Sequence, residues 1–483
     1  MNALRPYHLL ILLACVLLTA CMTVGPDYVP PELEVPAVWQ RVDPAAHPVT
    51  HAAGTEALSH WWQGLNDPLL SALVDEALQA APDLRNAQAR LRESRARRAV
   101  AASDRYPSVT ASGTARRSRS SEETGSGDTR SLYSAGFDAT WELDVFGGVR
   151  RGVEAADADL AASVENLHDA RVSLAAETAL NYVEVRALQT RLGIARDNLA
   201  SQSETLQITL WRYQAGLVGL QDVEQARTNL EQTRSQIPSL EISLAEAEHR
   251  LDILLGYPPG TLHGRLADPA PLPAAPERIA VGIPADTLRQ RPDVRVAERK
   301  LAAETARVGV AEAARYPAFK ISGSIGVEAL ELSALGNRGA ATASLLAGIT
   351  APVFSAGRLR NQVRIQNAVR EQALVAYEQA VLTALQEVEN ALVAIARNDE
   401  RTRALASAVA SAENAAELAR QNYSAGLIDF QSVLNTERTV LSVSDNLANT
   451  RADGLLALIR LYKALGGGWS PPGNSPEDGK DIP

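Results

Sequence analysis

Landmarks in this chain return 210 residues after they first occur. Arg212-Tyr213-Gln214-Ala215-Gly216-Leu217-Val218 comes back as Asn422-Tyr423-Ser424-Ala425-Gly426-Leu427-Ile428. At the same offset Pro82-Asp83-Leu84-Arg85 matches Pro292-Asp293-Val294-Arg295, and Arg105-Tyr106-Pro107 matches Arg315-Tyr316-Pro317. Ser112-Gly113 matches Ser322-Gly323, and Leu255-Gly256 matches Leu465-Gly466. Val145-Phe146 and Val353-Phe354 sit at 208 instead, so two residues are lost and regained within the second copy. The chain is a duplication, and any fold proposed for one half must serve for the other.

Each copy reads in the same order. A helix is expected over residues 82–104 and again over 292–314, with proline in the first turn of both. Tyr-Pro then opens an extended segment. Long helices follow at 149–214 and 359–424, and return helices at 220–255 and 430–465. The first long helix has roughly 66 residues and would measure about 100 Å. The glycine of each Tyr-x-Ala-Gly accepts the left-handed conformation that ends a helix, so both are read as tight helix-to-helix turns. Val223, Leu230, Ile237, Leu244 and Leu251 make a seven-residue seam, matched by Val433, Val440, Leu447, Gly454 and Leu461. Such spacing argues for helices packed side by side, with a kink expected at Pro238.

Between the helices the period changes to two. Tyr133, Ala135, Phe137, Ala139, Trp141 and Leu143 alternate with Ser134, Gly136, Asp138, Thr140, Glu142 and Asp144. Val109, Ala111, Gly113 and Ala115 do the same in the preceding strand, across a polar spacer at 118–128. The second copy has Phe319, Ile321, Gly323, Ile325 and Val327, then Leu345, Ala347, Ile349, Ala351 and Val353. Beyond the N-terminus no apolar run approaches the roughly 20 residues of a spanning helix, so a membrane crossing would have to be a barrel. Four strands are too few to close one, since small barrels need about eight. Several chains would have to contribute: an oligomeric β-barrel with long helices attached.

Composition excludes other classes. The net charge is −10, which leaves no basic face for nucleic acid. Cys15 and Cys21 are the only cysteines, and His47, His51 and His60 form no complete ligand set, so no metal or other cofactor is expected. There is no nucleophile elbow, phosphate loop or cluster of His and carboxylates, and an enzyme is not expected. A periplasmic coiled-coil tether would explain the heptads but has no use for amphipathic strand pairs.

The N-terminus has Arg5 before an apolar run from Leu9 to Leu18, then Leu18-Thr19-Ala20-Cys21. This is a secretory signal whose end resembles a bacterial lipobox, with cleavage before Cys21 and acylation of that residue. By resemblance to sorted lipoproteins, Met22 after the cysteine points to the outer membrane. The next residues, Val24-Gly25-Pro26-Asp27-Tyr28-Val29-Pro30, together with Trp61-Trp62, Asp67-Pro68-Leu69, the two Arg-Tyr-Pro and the two Tyr-x-Ala-Gly stretches, resemble the TolC-type outer-membrane factors. Within them the chain is most similar to the lipid-anchored NodT-type efflux proteins.

The resemblance implies an all-α body with a membrane β-barrel portion. A homotrimer would combine twelve strands into one barrel and its helices into a trimeric α-barrel tunnel. The organisation would be a signal peptide at 1–20, a lipid-anchored segment at 21–57 and a first repeat at 58–256, with strands near 106–118 and 132–145. A linker at 257–283 would lead to a second repeat at 284–466, with strands near 316–328 and 343–354, and a tail at 467–483. The implied function is the exit duct of a tripartite efflux or export system. Its partners would be a periplasmic membrane-fusion adaptor, an inner-membrane transporter and outer-membrane lipid.

The hairpin turns become the periplasmic gate and docking tip, comprising Tyr213, Gly216, Asp222, Glu224, Tyr423, Gly426, Asp429, Ser432 and Asn435. Family members often carry acids where Ser432 and Asn435 stand. The constriction is therefore either an acidic one moved to Asp222 and Asp429, or one held by packing and hydrogen bonds. Asp138, Glu142 and Asp144 would face the lumen as acidic rings, unless arginines such as Arg150 or Arg358 pair with them.

Overall fold

A computed structural model describes residues 23–32, 34–40, 49–50, 58–276, 279–280 and 284–469. The signal segment and the lipobox with Cys21 lie outside the described residues, as does the tail beyond Trp469. The main elements are α1 (Pro68–Ala80), α2 (Pro82–Ser103), β1 (Ser108–Arg119), β2 (Thr129–Leu143), α3 (Gly148–Gln214) and α4 (Leu220–Leu255). They continue with α5 (Pro284–Gln290), α6 (Pro292–Ala313), β3 (Ala318–Ala329), β4 (Ala341–Thr350), α7 (Arg358–Ser424) and α8 (Phe430–Ala464). α3 and α7 have 67 residues each. α4 runs through Pro238, which cannot donate to the carbonyl one turn before it.

The described residues form two compact units, the first comprising residues 23–32, 90–164 and 296–378. Its centre is one antiparallel sheet in the order β1-β2-β3-β4. Register puts Val109 beside Ala139, Phe137 beside Ile325, Trp141 beside Ile321 and Phe319 beside Ile349, so most apolar residues of the four strands share one face, with Leu132 and Leu346 on the other. Val109, Phe137, Ile325, Leu345 and Ile349 are exposed on it. The other face carries Ser, Thr, Gly, Asp138, Glu142 and Lys320.

Several strand limits differ from the sequence reading. Tyr106 and Tyr316 donate their N–H groups back to Ser103 and Ala313 (2.9 and 3.0 Å), so Arg-Tyr-Pro closes a helix and the strands begin after the proline. β4 stops at Thr350, because Pro352 has no N–H to give the ladder. Val353 and Phe354, expected in that strand, stand beyond it and are exposed. β2 ends at Leu143, and Asp144 serves the next helix instead. Its carboxylate accepts from the Val149 and Arg150 N–H groups at 3.0 and 2.8 Å and pairs with the Arg150 guanidinium at 3.2 Å. These are the free donors at the start of α3.

The described N-terminal residues are strapped to the same unit. Val24 donates to the Phe146 carbonyl at 3.1 Å. Arg151, only 4% exposed, donates to the carbonyls of Val24 and Gly25 (both 3.2 Å) and to Asp27 (2.7 Å). Gly25, at φ +93°, crosses α6 so closely that an added Cβ would lie 2.4 Å from the Gly309 Cα. Tyr28 donates its hydroxyl to Glu298 at 3.2 Å.

The second unit, the described residues within 34–89, 165–295 and 379–469, holds the main hydrophobic core. Trp62, Leu65, Leu70, Leu73, Tyr182, Leu251, Leu255, Leu458, Ile459 and Leu461 are fully buried there. Asp67 caps α1 through the Leu69 and Leu70 N–H groups, both at 3.0 Å, and accepts the Tyr182 hydroxyl at 2.7 Å. Trp61-Trp62 and Asp67-Pro68-Leu69 are therefore core and cap. The segment after α4 is packed as well. Asp252 accepts from Gly260 and Leu262, and a helical turn, His263–Leu266, buries Leu262 and Leu266. Trp469 stacks on His168 at 4.4 Å and donates to the Gln290 carbonyl.

Candidate functional site

The two Tyr-x-Ala-Gly turns have the same backbone. Gly216 and Gly426 adopt φ +73° and +79°. Leu217 and Leu427 donate to the carbonyls of Arg212 and Asn422, both at 2.8 Å. Gly216 and Gly426 donate to Tyr213 and Tyr423 at 2.9 and 3.0 Å. This pair of bonds satisfies carbonyls that a helix end leaves free, and only glycine adopts the required φ without strain.

The side chains break the symmetry. Tyr423 is buried in a small cluster with Ala226, Ala419, Phe430, Val433 and Leu434, whereas Tyr213 is exposed. Arg212, from the first turn, lies over the Tyr423 ring at 4.4 Å and donates to the Tyr423 carbonyl. One guanidinium thus joins the two turns. Its repeat mate is Asn422, so reasoning from matched positions passed over it; a cation at the last turn of a helix was the available signal.

Asp429 caps α8, accepting from the Ser432 N–H at 3.0 Å and the Ser432 hydroxyl at 2.7 Å. The Ser432 bonds hold its carboxyl below the usual aspartate range. Asn435 accepts from Gln431 at 3.1 Å, and Glu224 pairs with Arg227 at 3.0 Å. Asp222 lies in the first turn of α4, whose N-cap is Gly219. One acid went unnoticed in the sequence. Glu437 is 4% exposed and accepts the Thr205 hydroxyl at 2.6 Å. Burial pushes its carboxyl up, against the Thr205 bond and the nearby Arg420 charge. It lines a groove of about 260 Å³ with Asp197, Ser201, Glu413 and Arg420. The solvent side of the turns is apolar, with Trp211, Leu217, Leu220 and Leu427 exposed.

On the sheet, Asp138 accepts the Ser112 hydroxyl at 3.0 Å, and Glu142 pairs with Lys320 at 3.4 Å. Asp144 is occupied by Arg150. Of the three acids, only Asp138 and Glu142 lie within the polar face. No described helix is long and apolar enough to cross a membrane. Among the described residues no group of three His, Cys, Asp or Glu side chains could hold a metal ion.

A duplicated pair of long helical hairpins, with a four-stranded sheet that is apolar on one side and polar on the other, defines a channel-forming outer-membrane protein. The family model for outer membrane efflux proteins matches residues 73–257 and 283–467, and the chain belongs to that family. It is 32% identical over 460 residues to nodulation protein T of Rhizobium leguminosarum bv. viciae, covering 94% of this chain and 92% of that one. It is 30% identical over 470 residues to the toluene efflux pump outer membrane protein TtgF of Pseudomonas putida, covering 96% and 97%. The structure of the outer-membrane channel OprN superposes with a TM-score of 0.86 at 36% identity, over 93% of this chain and all of that one. The chain is thus a TolC-like, NodT-type outer-membrane factor: an efflux exit duct located in the outer membrane.

Proposed function

We propose that three copies assemble into the duct, their sheets closing into one twelve-stranded barrel. The observation that carries this is the sheet itself. β1 and β4 are edges of 12 and 10 residues with unpaired backbone groups, and one face is apolar and exposed. In a membrane such edges must be closed, and four strands cannot close on themselves. Copies of the same chain supply the missing strands most directly. The polar faces then line a wet lumen in which Asp138 recurs threefold, while Glu142 is paired with Lys320. The duct works without catalysis: solute leaves through water instead of hydrocarbon.

The helical hairpins form the gated periplasmic tip. Their exposed Trp211, Leu217, Leu220 and Leu427 offer an apolar docking surface for a periplasmic adaptor, which links the duct to an inner-membrane transporter. Cys21, acylated after cleavage, anchors the chain to outer-membrane lipid. Native mass spectrometry and planar-bilayer recording of the purified protein test the assembly. A trimer that conducts once the tip is loosened is expected, and a non-conducting monomer overturns the reading. Cys21→Ser abolishes incorporation of labelled palmitate if Cys21 is the lipid site.

A further inference from the structure

The loop end of the first hairpin carries four arginines: Arg116, Arg117 and Arg119 on β1, and Arg130 on β2. Alternation divides them between the faces. Arg117 and Arg119 continue the row of Val109, Ala111 and Ala115, opposite Ser131 and Thr129. Arg116 and Arg130 continue the polar row. On the apolar face the run from Leu143 to Tyr133 covers about 33 Å along the strand, or about 25 Å when tilted by ~40°, the height of an outer-membrane apolar band. Arg117 and Arg119 are the next residues in register above Ala115, whose partner is Tyr133. An arginine pair on that face would be costly within hydrocarbon. Just past the band it stands at the depth of lipid headgroups.

The charges are available. Arg117 has no ion pair among the described residues, and Arg119 makes only an exposed contact to Glu122 at 3.5 Å and a bond to the Gly127 carbonyl. The sheet does not require them either. Their repeat mates on β3 are Val327 and Ala329, and the second hairpin has Glu328 and Glu331 near its end. Planar guanidinium groups flanked by hydroxyls match a phosphate, to which arginine donates two parallel bonds.

We propose that Arg117 and Arg119, with Ser131 and Thr129, form a binding site for the phosphate groups of an anionic lipid headgroup at the loop-side membrane surface. The site rests on the reading of the sheet as a membrane barrel and adds a lipid class to it. Each chain carries one such site, so an assembly of copies presents it once per protomer. It would fix the depth and tilt of the first hairpin in the membrane.

The test uses the full-length protein in detergent, incubated with diphosphorylated lipid A or with the same lipid stripped of phosphate, and read by native mass spectrometry. Wild type is expected to retain the phosphorylated lipid about thirtyfold better, from about 1 kcal/mol for each of the two arginines at a membrane surface. Arg117→Gln with Arg119→Gln should lose this preference, and Arg116→Gln with Arg130→Gln should keep it. An unchanged preference in the first variant, equal loss in both, or displacement by millimolar inorganic phosphate overturns the proposal. Bilayer conductance of the same samples separates the two readings. Conducting variants that have lost the lipid preference support this site, conducting wild type with no preference refutes it alone, and non-conducting wild type refutes the barrel.

Discussion

At the scale of single residues, the tip is held by one arginine and one cap. Arg212 combines a ring contact with a charge-assisted bond to the Tyr423 carbonyl, together worth on the order of 2 kcal/mol. Arg212→Ala should loosen the turns and raise the leak of small hydrophilic solutes through reconstituted protein. Arg212→Lys should restore little, since an ammonium lacks the planar fork. Equal leak in wild type and Arg212→Ala would remove Arg212 from the closure. Asp429 raises a different question, because its carboxylate is both a charge near the turn and the cap of α8. Asparagine caps nearly as well as aspartate, whereas alanine does not. If the constriction is acidic, Asp222→Asn with Asp429→Asn leaks as much as the double alanine variant. If packing closes it, the two variants that carry Asp429→Ala leak and the double asparagine variant does not. Single-channel recordings of the three variants decide between the alternatives that the sequence left open.

At the scale of elements, the junction of α3, α7 and α8 carries a pH response of two signs. Burial raises the Glu437 carboxyl, so above about pH 4.3, the ordinary glutamate value, the junction loses stability as pH climbs through the raised one. Asp429, held low by Ser432, acts oppositely: its contribution is present above the ordinary aspartate range and disappears as pH falls through its lowered value. Glu437→Gln keeps an acceptor for Thr205 without the buried charge. Thermal melts across pH should show it more stable than wild type at neutral pH, with a flatter profile on the acid side; an unchanged profile would assign the response elsewhere. The N-terminal strap is a second such element. Arg151→Ala removes its bonds to Val24, Gly25 and Asp27 and should expose residues 23–31 to limited proteolysis, while Gly309→Ala should do the same by crowding the arginine side chain.

Most of the long elements were legible because proline starts, glycine ends and a change of period from 3.6 to 2 are local signals. What was missed depends on partners. Asp144 continues the alternation perfectly, yet the ladder stops where Leu143 meets Phe319, and its carboxylate turns to the next helix. α1 has only the short α5 near its repeat position, so the duplication did not announce it. Leu262 and Leu266 looked like linker because the residues that bury them lie elsewhere in the chain.

At the scale of the whole molecule, the proposed barrel requires other copies to complete the sheet. A single chain carries two unpaired edges and an exposed apolar face, so its folding and its insertion are separable events. The second unit has its own buried core, and helix content should survive when the barrel cannot close. Proline in the middle of an edge strand removes a ladder donor that a neighbouring copy would need. Leu345→Pro on β4, whose N–H faces the open edge, should therefore leave circular dichroism almost as helical as before, while native mass spectrometry shows fewer trimers and bilayer conductance falls by more than about tenfold. Ser324→Pro, on a central strand, would disrupt β3 within the chain and is expected to be the more damaging in the monomer. Should Leu345→Pro assemble and conduct like wild type, the edges are not where copies meet, and closure of the barrel would have to come from another surface.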